Sequence, residues 1–192
     1  MLLPTEPWKR SEALPAAVSV GSVTLENCRV FAPSRTVQTE LMRVVLQRVK
    51  QAHVEVAGES KGRIGPGLLI LLGVTHTDRR EDADYLADKI LHLRIFPDDQ
   101  RRMNRSVLEA GGSLLVVSQF TLYGSCKKGR RPSFDQAAPP EQARDLYEYF
   151  VGRLQLSNTK IETGVFQAEM EVYLVNDGPV TFVLDSARNS EL

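Results

Sequence analysis

From Arg43 the chain takes on a two-residue period: Val44, Leu46 and Arg48 alternate with Val45, Gln47 and Val49, which predicts a strand over Arg43 to Lys50. A second short run rich in β-branched residues follows from Ala52 to Ala57. Gly65, Pro66 and Gly67 then punctuate a turn before the apolar strand Leu68 to Val74, and the three runs are expected to pair as a meander. The period changes at Asp78. Ala83, Leu86, Ala87, Ile90 and Leu91 group on one side of a helix reaching Arg94, with Asp78, Glu81, Asp82 and Asp84 read as its solvated, dipole-favoured start. Phe96 and Pro97 end that helix, and Asp98 with Asp99 reads as a turn. After the apolar strand Leu114 to Val117, a second helix is predicted over Pro140 to Leu154. Pro140 suits its first turn, and Ala143, Leu146, Tyr147, Phe150, Val151 and Leu154 form its buried stripe. Ile161 to Gly164, Met170 to Val175 and Val180 to Leu184 return to strands. With no internal repeat or low-complexity tract, the pattern predicts an α+β fold: a mainly antiparallel or barrel-like sheet with two helices on one side.

Residues 1–41 behave differently. Pro4, Pro7, Pro15 and Pro33 interrupt them, and the strand-like patch from Val18 to Val30 has no sustained partner period. Met42 therefore reads as an internal start, giving an N-terminal extension 1–41, a domain 42–186 and a tail 187–192. Glu6, Glu12, Glu26 and Glu40 argue against a transit peptide, because such segments are poor in acids.

Composition narrows the function classes. The 192 residues suffice for one domain with a real core. Twenty-four basic residues balance 24 acidic ones, so any contact with nucleic acid must be local rather than global. Cys28 and Cys126 read as free thiols, which suits a reducing compartment. No stretch approaches a membrane span or a signal peptide, and the expectation is a soluble cytoplasmic protein.

The candidate chemistry is sparse. His53, His76 and His92 are scattered without metal-site spacing, so no metal and no cofactor are expected. Two runs follow apolar strands and end where backbone must be displayed: SQFTL at 118–122 and NDGPVT at 176–181. Thr121 has no base near it in sequence, so either it is a nucleophile activated through folding, or the N–H groups after Gln119 stabilise an oxyanion while Ser118 and Thr121 shape the pocket. Gly178 and Pro179 read either as an ordinary hairpin turn or as a rigid wall that rejects one stereochemistry by overlap. Lys127, Lys128, Arg130 and Arg131 form either a solvated loop or a phosphate-holding cluster.

Together, SQFTL, NDGPVT, Gln47-Arg48-Val49, GPGLLILLGV at 65–74 and RPSF at 131–134 resemble the D-aminoacyl-tRNA deacylases of the bacterial and eukaryotic type, from about Met42 to Ser186. The resemblance implies that Ser118, Gln119, Phe120 and Thr121 line the pocket for the 3′ end of an aminoacyl-tRNA. It implies that Gly178 and Pro179 form a Gly-cisPro pair inserted into the pocket of a second subunit, so that the working form is a homodimer. Arg48 would hold that pair in place, and Met170 would lie on a strand packed near the pocket. The implied reaction is hydrolysis of the ester between a D-amino acid, or glycine, and tRNA, with the vicinal 2′-hydroxyl of the substrate assisting. Two other classes stay open at this point: a non-catalytic dimer that holds tRNA 3′ ends, and a hydrolase of small esters with Thr121 as nucleophile.

Overall fold

The structure, a computed structural model, describes residues 41–127 and 129–186. The extension 1–40, Lys128 and the tail 187–192 lie outside the described residues, and with them the expectations placed there.

The first two predicted strands are one. Strand β1 (Arg43–Val56) runs unbroken through Lys50 and Gln51, where its register against its neighbour shifts. The partner that follows it was not foreseen: Ala57 and Gly58, both at positive φ, turn the chain into β2 (Glu59–Ile64), antiparallel to the second half of β1. The sequence ESKGRI conceals a strand because its outward positions are charged and one inward position is Gly62, whose side carries the buried contact. A Cβ on Gly62 would sit 2.7 Å from the Thr163 carbonyl oxygen, so only glycine lets β2 press this closely on the far edge of the sheet.

Strand β3 (Gly67–Gly73) pairs antiparallel with the first half of β1. Helix α1 (Arg80–His92) then carries the chain back, and after a two-stranded excursion, β4 (Phe96–Pro97) with β5 (Met103–Arg105), strand β6 (Ser113–Ser118) joins β3 in parallel. Helix α2 (Pro140–Gln155) repeats the manoeuvre and sets β7 (Ile161–Thr163) parallel to β6. Parallel neighbours need a crossover long enough to return the chain to the same end, and each helix provides one. The sheet is thus antiparallel around β1 and parallel across β3, β6 and β7, in the order β2-β1-β3-β6-β7. Strand β8 (Glu171–Asp185) completes it on the other edge of β1.

Alternation divides this curled sheet between two cores. Leu46, Leu68, Ile70, Leu72, Leu114 and Val116 face the helices and meet Leu86, Ile90, Phe150 and Leu154. Val49, Val54, Ile64, Leu69, Leu115 and Val117 fill the barrel-like interior. The two helices sit where the periodicity placed them, and Leu146, Tyr147, Phe150, Val151 and Leu154 of the expected α2 stripe are buried.

The acidic start of α1 is not the solvated face expected. Asp78 and Asp82 are buried: Asp78 accepts the Thr75 N–H at 2.7 Å, and Asp82 accepts the Arg79 N–H at 2.9 Å and the Ser186 hydroxyl at 2.7 Å. These carboxylates satisfy the donors of a buried helix entrance, which water cannot reach. Asp84 accepts from Tyr149 at 3.0 Å and Arg153 at 2.6 Å, leaving Glu81 as the exposed acid of the group. No helix among the described residues is long and apolar enough to cross a membrane.

Candidate functional site

The parallel pairing of β3 and β6 brings the carboxyl ends of both strands to one end of the sheet, and a cavity of about 790 Å³ opens there. Ligand sites form in such positions because the chain must leave both strands in the same direction, in loops free to diverge. Leu72 and Val117 give the floor. Ser118, the last residue of β6, with Gln119 and Phe120 directly after it, forms the near wall, while Phe134, Tyr147 and Phe166 come from distant segments to form the apolar far side.

The SQFTL run leaves β6 in a tight 3-10 turn, Phe120–Tyr123. Gln119 N–H closes the sheet on Leu72 O at 2.7 Å, and the first bond of the turn is Leu122 N–H to Gln119 O at 3.2 Å. The N–H groups of Phe120 and Thr121 precede that bond, the position at which helical turns present donors outward. Phe120 is 58% exposed, held edge-on by Phe134 with ring centroids 5.0 Å apart. Thr121 does not line the cavity. Among the described residues its hydroxyl has one partner, accepting a hydrogen bond from the Gln119 side-chain amide; no imidazole or carboxylate reaches it. A Thr nucleophile needs such a base, so the arrangement favours main-chain electrostatics.

Met170 lines the cavity, as do His76, Gln167 and Glu169, which sequence reasoning missed. His76 Nε2 lies 2.9 Å from Asp135 O, and the Gln142 amide donates to His76 O at 3.1 Å, tying the far loop to the end of β3. Tyr147 is buried and donates to Val116 O at 2.9 Å; burial pushes its phenol up to about 12. A raised folded-state pKa stabilises fully below the ordinary value near 10 and is lost as pH climbs through the higher one. Tyr147→Phe is therefore expected to cost about 1 kcal/mol at neutral pH, the worth of one hydrogen bond. The gap between wild type and variant should close and then reverse as pH rises from 10 to 12 in denaturant melts, because the rise from near 10 to about 12 corresponds to roughly 2.7 kcal/mol.

Gly178 and Pro179 are joined by a cis peptide bond, but they do not make a hairpin turn. Residues before and after them belong to one strand, β8, and pair along the same edge of β1: Val49 faces Asn176 and Gln47 faces Thr181, with the ladder shifted between. The pair is the content of an interruption in that ladder, where extra residues oppose few on the partner. Its surroundings fix it. Arg48, opposite the interruption and 11% exposed, places Nε 2.8 Å from Asp177 Oδ2 and also donates to Ile95 O. The Asn176 amide donates to Arg48 O at 2.9 Å and Val180 O at 3.3 Å. Neither Gly178, Pro179 nor Arg48 lines the 790 Å³ cavity of its own chain. Arg48 is thus brought to the Gly-Pro pair, and Met170 to the SQFTL pocket.

Lys127, Arg130 and Arg131 are exposed on a loop closed by mutual backbone bonds between Ser125 and Ser133, at 2.7 and 2.9 Å. Lys127 borders a recess of about 440 Å³ with Tyr123 and Arg43, and neither it nor Arg130 or Arg131 lines the main cavity.

A curled α+β sheet carries at its parallel strand ends a mainly apolar pocket edged by Ser118, Gln119, His76 and Glu169, in which no nucleophile–base hydrogen bond forms among the described residues. The comparisons with known proteins make the class particular. A model of the family described as D-Tyr-tRNA(Tyr) deacylase matches residues 45–185. The chain is 58% identical over 145 residues to a D-aminoacyl-tRNA deacylase of Solibacter usitatus, covering 76% of this chain and 96% of that protein. It is also 58% identical over 147 residues to one of Thermosipho africanus, covering 77% and 99%. Among solved structures it is similar to a protein titled c-Myc DNA Unwinding Element Binding Protein, with TM-score 0.72 and 39% identity over 76% of this chain and 99% of that one. A probable eukaryotic D-amino acid tRNA deacylase, at TM-score 0.66 and 20% identity over 75% and 98%, shares the fold. The chain belongs to the D-Tyr-tRNA(Tyr) deacylase family.

Proposed function

We propose that this protein hydrolyses the ester joining a D-amino acid to the terminal ribose of tRNA, releasing both, and that it clears glycyl-tRNA by the same route. The observation that carries the reading is the pocket at the end of β6, whose near wall is Ser118, Gln119 and Phe120 in a chain of this family. The Phe120 and Thr121 N–H groups receive the negative charge that develops on the ester carbonyl oxygen, and the cavity fixes the terminal adenosine. The neighbouring 2′-hydroxyl of the substrate assists attack of water on the carbonyl, so the protein has no need of a nucleophile of its own. Free tRNA and D-amino acid leave as products.

The active form is a homodimer in which each subunit lends Gly178 and Pro179 to the other. Two features support this. The pair stands exposed outside its own cavity, and the strand that bears it carries Tyr173, Val175, Phe182 and Val183 on the surface, Val183 at 62% exposure. Apolar rows of this kind mark contact surfaces. With amino group and carbonyl fixed, an L side chain meets the main-chain wall, whereas a D side chain or hydrogen points away. A 10⁴-fold discrimination needs about 5.5 kcal/mol, which overlap with rigid backbone supplies. Arg48, through Asp177, holds the wall. The domain responsible is 42–186, acting on charged tRNA in the cytoplasm.

The test is deacylation of matched D- and L-aminoacylated tRNAs: release of D-amino acid with L-substrate intact is expected, and binding without release of either would leave only a 3′-end-binding dimer. Thr121→Ala is expected to retain measurable turnover, within about tenfold of wild type, since the hydroxyl's loss removes one hydrogen bond. Abolished turnover with tRNA binding intact would restore Thr121 as nucleophile.

A further inference from the structure

At the opposite end of the sheet from the SQFTL pocket, a groove of about 550 Å³ lies between the end of β2 and the entry to β7. The two ends of β6 stand roughly 17 Å apart, at about 3.3 Å per residue. Four cations converge on the groove, Lys50, Lys61, Arg63 and Lys160, against one lining carboxylate, Glu162. In a chain whose charges cancel overall, this is a marked local excess.

The cations are not equivalent. Lys160 is anchored, donating to Arg63 O at 3.2 Å and pairing with Glu162 at 2.9 Å; Lys61 pairs with Glu59 at 2.6 Å. Lys50 and Arg63 are exposed and have no ion pair among the described residues. Local backbone causes bring them together. The register shift between Val49 and Gln51 leaves Lys50 outside the regular ladder. Glycine at 62 turns the intervening side chain of β2 inward to nothing, so Lys61 and Arg63 both stand on the outer face. Like charges held in one recess repel unless an anion with several acceptors fills it, and Arg presents a fork matched to phosphate.

The geometry points to this groove as a binding site for the sugar-phosphate backbone of RNA, taking the tRNA body while its 3′ end occupies the cavity at the other end of β6. The inference rests on the tRNA substrate proposed above. It adds a sequence-blind contact remote from the chemistry: phosphate contacts position an RNA without reading it.

The experiment compares wild type with Lys50→Ala/Arg63→Ala and with Lys50→Glu, both at exposed positions outside the pocket. Binding of uncharged tRNA is followed by fluorescence anisotropy from 50 to 300 mM salt. The double variant is expected to raise Kd about tenfold at physiological salt and to make the slope of log K against log salt shallower by about 1.5, two phosphate contacts' worth. Lys50→Glu should weaken binding at least as much. KM for D-aminoacyl-tRNA should rise in step with kcat unchanged, and hydrolysis of a D-aminoacyl-adenosine, which has no backbone to bind, should match wild type. Unchanged Kd and salt slope would overturn the inference, as would an equal loss on the adenosine substrate. If wild type releases no D-amino acid, the proposed activity fails, and the anisotropy alone still decides the groove.

Discussion

Replacing Gly178 by Ala is expected to lower kcat/KM for D-aminoacyl-tRNA by roughly 10²-fold, the scale of loss that accompanies a misplacement near 1 Å at a reacting centre. A Cβ there would sit 2.6 Å from Asn176 Oδ1, well inside contact distance. The Asn176 side chain must move, and with it go its bonds to Arg48 O and Val180 O, which together with the Arg48–Asp177 pair tie the interrupted stretch of β8 back to β1 and to itself. The residue is exposed and outside both cores, so thermal stability should fall little, by under about 2 kcal/mol for two hydrogen bonds. A large kinetic loss beside a small shift in Tm is therefore the signature. Unaltered turnover would sink the role assigned to this position, and a parallel collapse of Tm would make it merely structural.

Gly67→Ala should show the converse, a stability defect first. Gly67 opens β3 opposite Ser113, and an added Cβ would lie 1.8 Å from the Ser113 carbonyl oxygen and 2.7 Å from its carbonyl carbon and nitrogen. Backbone cannot give way as a flexible side chain can, so β3 and β6 must part at that end or slide. A cost of about 4 kcal/mol or more is expected, in the exceptional tail of single substitutions. For a domain of this size that lowers Tm by more than about 10 °C. Calorimetry reads it directly. Activity should fall too, because the β3–β6 register seats Leu72 beside Ser118 and Gln119 N–H on Leu72 O. A variant melting within about 2 °C of wild type would show that the strands tolerate separation.

The two helices were legible in the sequence because their burial repeats at one period, and the β3 and β6 strands because each is an unbroken apolar run; the SQFTL wall was legible only as a motif. Four features were not. Strand β2 carries its meaning in a glycine, which has no hydropathy to pattern. Asp78 and Asp82 look like surface acids to any reading of polarity, and only the buried donors of Thr75, Arg79 and Ser186 give them an inner role. The Gly178–Pro179 segment has the composition of a turn. What makes it part of β8 is the identity of its partner, β1, more than a hundred residues earlier, and no local pattern encodes that. The far wall of the pocket was missed for the same reason: Phe134, Tyr147 and Phe166 meet through crossovers, each looking like core or loop in its own neighbourhood. Motif resemblance located the near wall and the Gly-Pro pair, and its implication that the pair serves a second subunit agrees with the pair lying outside the cavity of its own chain.

The Ser186 hydroxyl, pinned on Asp82, and its N–H, 2.8 Å from Met42 O, rivet the last turn of the described chain to the helix entrance and to the root of the central strand. The stereochemical filter proposed for Gly178 and Pro179 would, on β8, be stretched between fixed posts. Its aperture is set by the frame of the whole domain, and mutations that soften that frame far from the pocket should blur handedness before they abolish turnover.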